Sequence, residues 1–322
     1  MRWRSSIHAL APLARCRIPD TDEPWYDKPM MQPSERHGNT WVEIRAGTVD
    51  ELVQHITSLK RQTVGEESLA WRGHTDAEWS LESTLDRHLG EISPNDTYEA
   101  WLAREQRMLS EFRRRAERYA GATEGYQLKD DWTAMALGRH AGLPTRLLDW
   151  TDSPWVAVWF ACHEDSDVDG MLWWFHQQQL EHAIHPHWNK WGVADRATVL
   201  GYGNMPRPEK ERLGWHERAL ETTAFKPDGE AWVTKIHYRY PCSRMEAQRA
   251  FMTTCGRLRT SHNDAIDRLP DSNTISRGRI RIAASIKGEA LQLLREMNIH
   301  AQSLSYPGVD IVAREIGNPN NK

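Results

Sequence analysis

The 322-residue sequence has no apolar run approaching the roughly 20 residues that a membrane-spanning helix needs. A helical membrane protein is thereby excluded. Cysteine is scarce: Cys16, Cys162, Cys242 and Cys255 form no CxxC pair and keep no regular spacing. Neither a disulfide scaffold nor a four-cysteine zinc site has that pattern. Charge of one sign is lacking too. Lys and Arg number 41 and Asp and Glu 45, a net of −4. That balance argues against a disordered polyelectrolyte and against a strongly electrostatic nucleic-acid binder. No Gly-rich phosphate loop, GxSxG elbow or HExxH run occurs, so the nucleotide, esterase and metalloprotease signatures they carry are missing. Phe and Tyr are few, at 5 and 8, but Trp numbers 16. Most of these Trp are expected to fill the core in place of Phe, leaving a few faces for a ligand ring.

A hydrophobic fraction of 39% suits a globular chain with a sizeable core. Residues 1–40 are rich in Pro, Arg and Asp and lack periodicity, so they read as a poorly ordered extension, with Met30 or Met31 as an alternative start. Residues 317–322 read as a disordered tail. The first residues carry Arg2, Arg4 and Arg15 without the apolar centre of a signal peptide, so the expected compartment is the cytoplasm.

Periodicity places a helix after Thr48, with Leu52, Ile56 and Leu59 on one face. Ser68 to Gly73 reads as a short strand. Further helices are predicted over about Asn95–Tyr119, Asp131–His140 and Trp155–Cys162, the last capped by Ser153-Pro154. Beyond them, Gly170–Phe175, Ala231–Tyr238, Ala250–Thr254 and Arg279–Ala284 read as strands, and Gly288–Met297 as a helix. The stretch Gln177–Pro227 reads as mixed. The expected fold is a single α+β domain over 41–316, helices in its first half and a mainly antiparallel sheet in its second.

Two segments carry candidate chemistry. Trp71-Arg72-Gly73 puts a guanidinium, suited to two-pronged bonding of phosphate or carboxylate, beside a residue that lets backbone come close to a ligand. Arg139 to Pro154 is denser. His140 ends a helix, Gly142 and Pro144 break it, Thr145-Arg146 follow, and Asp149 and Asp152 bracket Trp150-Thr151. This reads as a loop between helices. An Arg146–Asp149 pair holding a rigid corner is an even alternative to a ligand site.

These residues resemble the FRG domain family, named for its Phe-Arg-Gly motif. Trp71-Arg72-Gly73, the run from His140 through Ala161, and Arg244, Ala247 and Gln248 carry the resemblance, which spans about residues 40–316. Trp71 stands in place of the family Phe, Arg139 where Gln is frequent, and Ala250 where the family has Gly. The resemblance implies a bacterial or phage-associated protein, in defence-like settings, with a layout similar to ADP-ribosyltransferase-like folds. On that implication NAD is the substrate and Arg72 clamps its phosphates. His140 or Thr145 lines the nicotinamide-ribose side, and Gln248 or Glu246 is the polar residue on a late strand. Gly73, Arg146, Asp149 and Trp150 complete the cofactor-binding set. The chemistry asks a carboxylate or amide to orient a ribose hydroxyl as an oxocarbenium-like centre forms.

Other readings stand beside this one. The domain is alternatively a non-catalytic module for a nucleotide, nucleic acid or partner protein. Arg72, Arg146 and Asp149 are alternatively a buried network with a folding role. No metal is expected. Asp165, Asp167 and Asp169-Gly170 match half a calcium loop, but His176 occupies the position of its bidentate Glu. His182, His185 and His187 lack further ligands at suitable spacing. Arg113 to Arg118 form a basic cluster at a helix end, suited to its dipole.

Overall fold

The computed structural model describes residues 41–63, 68–121, 125, 128–129, 131–164, 167–190, 231–236 and 243–304. All lie in one compact unit, His37–Lys322.

Local chemistry sets many element ends. Thr48 Oγ1 accepts from the Glu51 amide and starts α1, Val49–Gln62, whose Val49, Leu52 and Ile56 are buried. It follows β1, Val42–Ala46, and precedes β2, Leu69–His74. Ser83 caps α2, Thr84–Ile92, and Thr97 caps α3, Tyr98–Ala116, with three Arg in its last turn. Then come α4, Asp131–His140, and β3, Leu147–Thr151. Ser153 Oγ accepts from the Val156 amide, and Pro154 opens α5, Pro154–Cys162. The chain continues through β4, Gly170–His176, and α6, Gln177–Lys190. Next are β5, Val233–Ile236, α7, Ser243–Ala247, and β6, Ala250–Cys255. The last elements are α8, His262–Asp267, β7, Arg277–Ile282, α9, Lys287–Glu296, and α10, Ala301–Leu304.

The strands make one seven-stranded sheet in the order β1-β7-β4-β2-β3-β6-β5. Only β1 with β7 is parallel; the other pairings are antiparallel. Helices cover both faces. Leu52 and Ile56 of α1, Val158 and Ala161 of α5, and Ala290 and Leu294 of α9 pack with Trp71, Leu172 and Ile280. On the other face, Leu109 of α3, Trp132 and Met135 of α4, and Leu180 and Ile184 of α6 pack with Ala70, Trp150, Trp173 and Phe175. Each layer buries an apolar face that neither helix nor sheet could leave in water.

The α+β class and the mainly antiparallel sheet agree with the sequence reading, and helices predominate in the first half. That half nevertheless supplies β1, β2 and β3. The segment Arg139–Pro154 is corrected: it is not all loop, because Leu147–Thr151 is a strand paired with both β2 and β6. A central strand buried on both faces has no alternating pattern to announce it. Residues 177–190, read as mixed, are helical, while 191–227 lie outside the described residues. So do residues 1–40, 237–238 of the expected strand Ala231–Tyr238, and the tail 317–322.

Gly73 and Gly170 explain how α5 lies so close to the sheet. A Cβ at Gly73 would sit 2.0 Å from the Ala157 carbonyl oxygen and 2.6 Å from the Ala161 nitrogen. One at Gly170 would sit 2.5 Å from the Ala161 oxygen. Helix backbone, rather than a ligand, occupies the space that the missing side chain leaves at Gly73.

Candidate functional site

The strand β2 ends against the C-terminal turn of α4 and the middle of α5, and a cleft of about 360 Å³ opens there. Its wall takes Arg72 and Gly73 from β2, Asp149 from β3, Arg139 and His140 from α4, Phe160 from α5, and Gln248 from the turn before β6.

Arg72 is held from two sides. Its Nε donates to His74 Nε2 at 3.0 Å, and its Nη1 donates to the Asp149 carbonyl at 2.6 Å. An acceptor Nε2 leaves the imidazole proton on Nδ1, which donates to the Trp79 carbonyl at 3.3 Å. Burial, with the Arg72 cation next to it, pushes the His74 pKa well below its ordinary value. His74 is therefore neutral at physiological pH and accepts continuously. Burial, aided by Arg139 and Arg87 and opposed by Asp149, lowers Arg72 to about 10, so it stays protonated. Its Nη2 bonds to no described residue.

Arg139 is fully committed. Nε and Nη2 both donate to Asp149 Oδ2, at 3.0 and 2.8 Å, and Nη1 donates to Thr84 Oγ1 at 2.7 Å. Burial on its own would raise the Asp149 carboxyl. The guanidinium groups of Arg139 and Arg72 outweigh it and hold the group below the usual carboxylate range, with a smaller contribution from His140. The Asp149 side chain remains 34% exposed, and no described residue donates to its Oδ1. Two guanidinium groups against one carboxylate leave the wall cationic.

The other expected residues divide. His140 and Trp150 line the cleft with Arg72, Gly73, Asp149 and Gln248. Trp150 is 2% exposed, its indole donating to Thr253 Oγ1 at 2.8 Å and packing edge-on to Phe175. Its ring belongs to the core. Gln248 is corrected in one respect. It does not sit on a late strand but in the turn between α7 and β6, where Arg249 takes φ 49°. Its Nε2 donates to the Leu304 carbonyl at 3.1 Å. Glu246 is exposed on α7 and does not line the cleft.

Thr145 and Arg146 are buried outside the cleft wall. Thr145 orients α2, its carbonyl accepting from the Leu85 amide at 3.1 Å. The expected Arg146–Asp149 corner does not form. Arg146 meets Glu105 of α3, Nε to Oε1 at 2.6 Å and Nη2 to Oε2, and its Nη1 donates to the Cys255 carbonyl at 3.2 Å. The adjacent acid lost to one 41 residues away because Arg146 points into the core and Asp149 points to the cleft. A single network of Arg72, Arg146 and Asp149 is therefore absent.

Three participants were not among the expected site residues: Arg139, His74 and Phe160. His74 had a signal, since residues i and i+2 of a strand share a face. Phe160 had none beyond its place in an apolar helix. Cys162 and Cys255 are buried, and burial pushes both thiols up to about 12, which leaves them unreactive at neutral pH. Asp169 Oδ1 accepts from the Ala284 amide at 2.9 Å, an architectural tie. Among the described residues, no group of three or more His, Cys, Asp or Glu is placed to hold a metal, and no helix is long and apolar enough to cross a membrane.

A strand closing on Arg-Gly, a helix seated on that Gly, and the segment from His140 to Phe160 folded beside it define one structural unit. The family model of the FRG domain matches residues 67–170, the part of the chain that holds this unit. The match lies inside the wider span that the resemblance suggested. It holds Arg72, His74, Arg139, Asp149 and Phe160, and leaves Gln248 outside. No curated protein and no solved structure matches the chain.

Proposed function

We propose that the cleft binds a small phosphorylated molecule and that Arg72 grips its anion. The carrying observation is the state of Arg72: charged, fixed by His74 and the Asp149 carbonyl, and with Nη2 bonded to no described residue, in a cleft whose wall is net cationic. A guanidinium so held loses little entropy when it takes an oxyanion. The volume of about 360 Å³ falls within the roughly 300–1,000 Å³ of small-molecule sites. A recess favours such a ligand over a nucleic-acid strand or a protein surface.

A second reading is ADP-ribosyl transfer from NAD, in the bacterial or phage conflict setting that the family resemblance implies. One observation favours it: Gln248 lines the same cleft as Arg72. The exposed position of Glu246 leaves Gln248 and His140 as the polar groups for the ribose side.

Isothermal titration with pyrophosphate and with NAD tests both readings, with nicotinamide release followed in parallel. Arg72→Lys keeps the charge but loses the fork, and is expected to weaken pyrophosphate by at least about tenfold, a charge-assisted hydrogen bond being involved. A folded wild-type protein that binds neither of these probes nor any ribonucleoside diphosphate overturns the proposal. Binding with nicotinamide release establishes the second reading; binding without it leaves the first alone.

A further inference from the structure

The cleft offers more than a cation. Arg139 is committed to Asp149 Oδ2 and Thr84, and no described residue donates to the other Asp149 oxygen. An ionised carboxylate oxygen only accepts hydrogen bonds. An unprotonated phosphate oxygen on Arg72 also only accepts and cannot bond to it. A ligand that matches the cleft therefore brings a donor to Asp149 Oδ1 as well as an anion to Arg72. A cationic donor is disfavoured, because Arg72 and Arg139 already flank that position and the Asp149 charge is answered by Arg139. A neutral hydroxyl meets both conditions.

Phe160 adds a third requirement. It lines the same cleft, half-buried, while the rings of Trp159 and His163 pack edge-on to it at 5.0 and 5.7 Å and fix its orientation. Trp71 and Trp150 are buried in the core at 1% and 2% exposure, so Phe160 is the most open of the Trp and Phe rings in the wall. Cation, acceptor and apolar ring correspond to phosphate, sugar hydroxyl and base. From this arrangement we infer that the ligand is a ribonucleotide whose free ribose hydroxyls donate to Asp149 Oδ1 while its phosphate sits on Arg72. The inference rests on the phosphate-binding proposal above and names its ligand class.

The test is run on the full chain with three sets of probes: pyrophosphate, the four ribonucleoside diphosphates, and their 2′,3′-dideoxy counterparts. At least one ribonucleotide is expected to bind tighter than pyrophosphate, and at least about tenfold tighter than its dideoxy form, as for a hydrogen bond to a charged group. Asp149→Asn is expected to abolish that discrimination. Pyrophosphate binding with no ribonucleotide tighter than it, or with ribo and dideoxy forms equal, overturns the inference and leaves the phosphate proposal standing. Discrimination that persists in folded Asp149→Asn removes Asp149 from the role. If Asp149→Asn does not fold, the wild-type comparison decides, since it uses no variant. No binding of any probe, pyrophosphate included, overturns the phosphate proposal itself.

Discussion

A single methyl group at Gly73 tests the account of how the FRG motif is built. In Gly73→Ala the new Cβ would lie 2.0 Å from the Ala157 carbonyl oxygen. An ordinary carbon–oxygen contact is about 3.3 Å, so α5 must withdraw by about 1.3 Å. Nothing flexible takes up the shift, because the opposing atoms are helix backbone at Ala157 and Ala161. The same sheet-facing side of α5 is also fitted to Gly170, whose built Cβ would lie 2.5 Å from the Ala161 oxygen. Overpacking against rigid neighbours costs about 3 kcal/mol, the upper end of the usual range. For a domain of this size that lowers Tm by roughly 6–12 °C. Urea unfolding followed by circular dichroism measures it as a lower midpoint at unchanged slope. Because α5 carries Phe160, the same change disturbs the cleft wall. Gly288→Ala is the paired control. No atom lies within 4 Å of its built Cβ, and the site is within α9, so about 0.5–1 kcal/mol of stabilisation is expected. A Gly73→Ala protein within about 0.5 kcal/mol of wild type would refute the reasoning that helix backbone, rather than ligand, dictates this Gly.

Three further predictions follow from the same contacts. Glu105→Ala strands the Arg146 guanidinium, which is 1% exposed, and is expected to cost about 3–5 kcal/mol; Glu105→Leu with Arg146→Met should recover most of it in an unfolding cycle. Burial raises Asp86 to about 6 from 3.8. The folded state then binds more protons than the unfolded one between those values, so this group's contribution falls as pH rises through that window. Burial lowers His262 to about 3, and its contribution runs the other way, rising up to its ordinary 6.5. The stability difference between Asp86→Asn and wild type, measured from pH 4 to 7.5, is therefore expected to grow in favour of the variant by roughly 2–3 kcal/mol and to level off above pH 6; a flat difference would refute it. Finally, His74→Ala should weaken pyrophosphate binding by freeing Arg72, and His74→Gln, which keeps an acceptor, should restore part of it; equal loss in both would reduce His74 to a packing role.

What the sequence revealed was local. Thr48 and Ser153-Pro154 announced their helices because a cap lies within three residues of the amide it serves. The Arg72-Gly73 strand end and the segment from His140 were visible as dense, unusual chemistry. What stayed hidden depends on partners far along the chain. Leu147–Thr151 looked like loop because its neighbours in the sheet start at residues 69 and 250, and a strand covered on both faces shows no period of two. Arg146 was matched to the nearest acid when its partner was on another helix. Glu246 and Gln248 are close in sequence, yet one faces solvent and the other the cleft, because α7 ends between them. Gly73 was read for its freedom, and its meaning turned out to be the distance to α5.

The place of β7 in the sheet has a consequence for synthesis. It lies between β1 and β4, although it is the last of the described strands to be made. When β4 has left the ribosome at His176, its outer edge partner ends 106 residues later, at Ile282. At about 5–20 residues per second that gap lasts roughly 5–20 s. Throughout it, the edge of the Trp-bearing apolar strand β4 that β7 covers lacks that strand, and so does β1. Such an edge is a template for other chains. The nascent protein therefore passes through an interval in which a holding chaperone, or crowding by its own copies, decides between folding and aggregation. A chain halted before Arg277 would remain in that interval permanently.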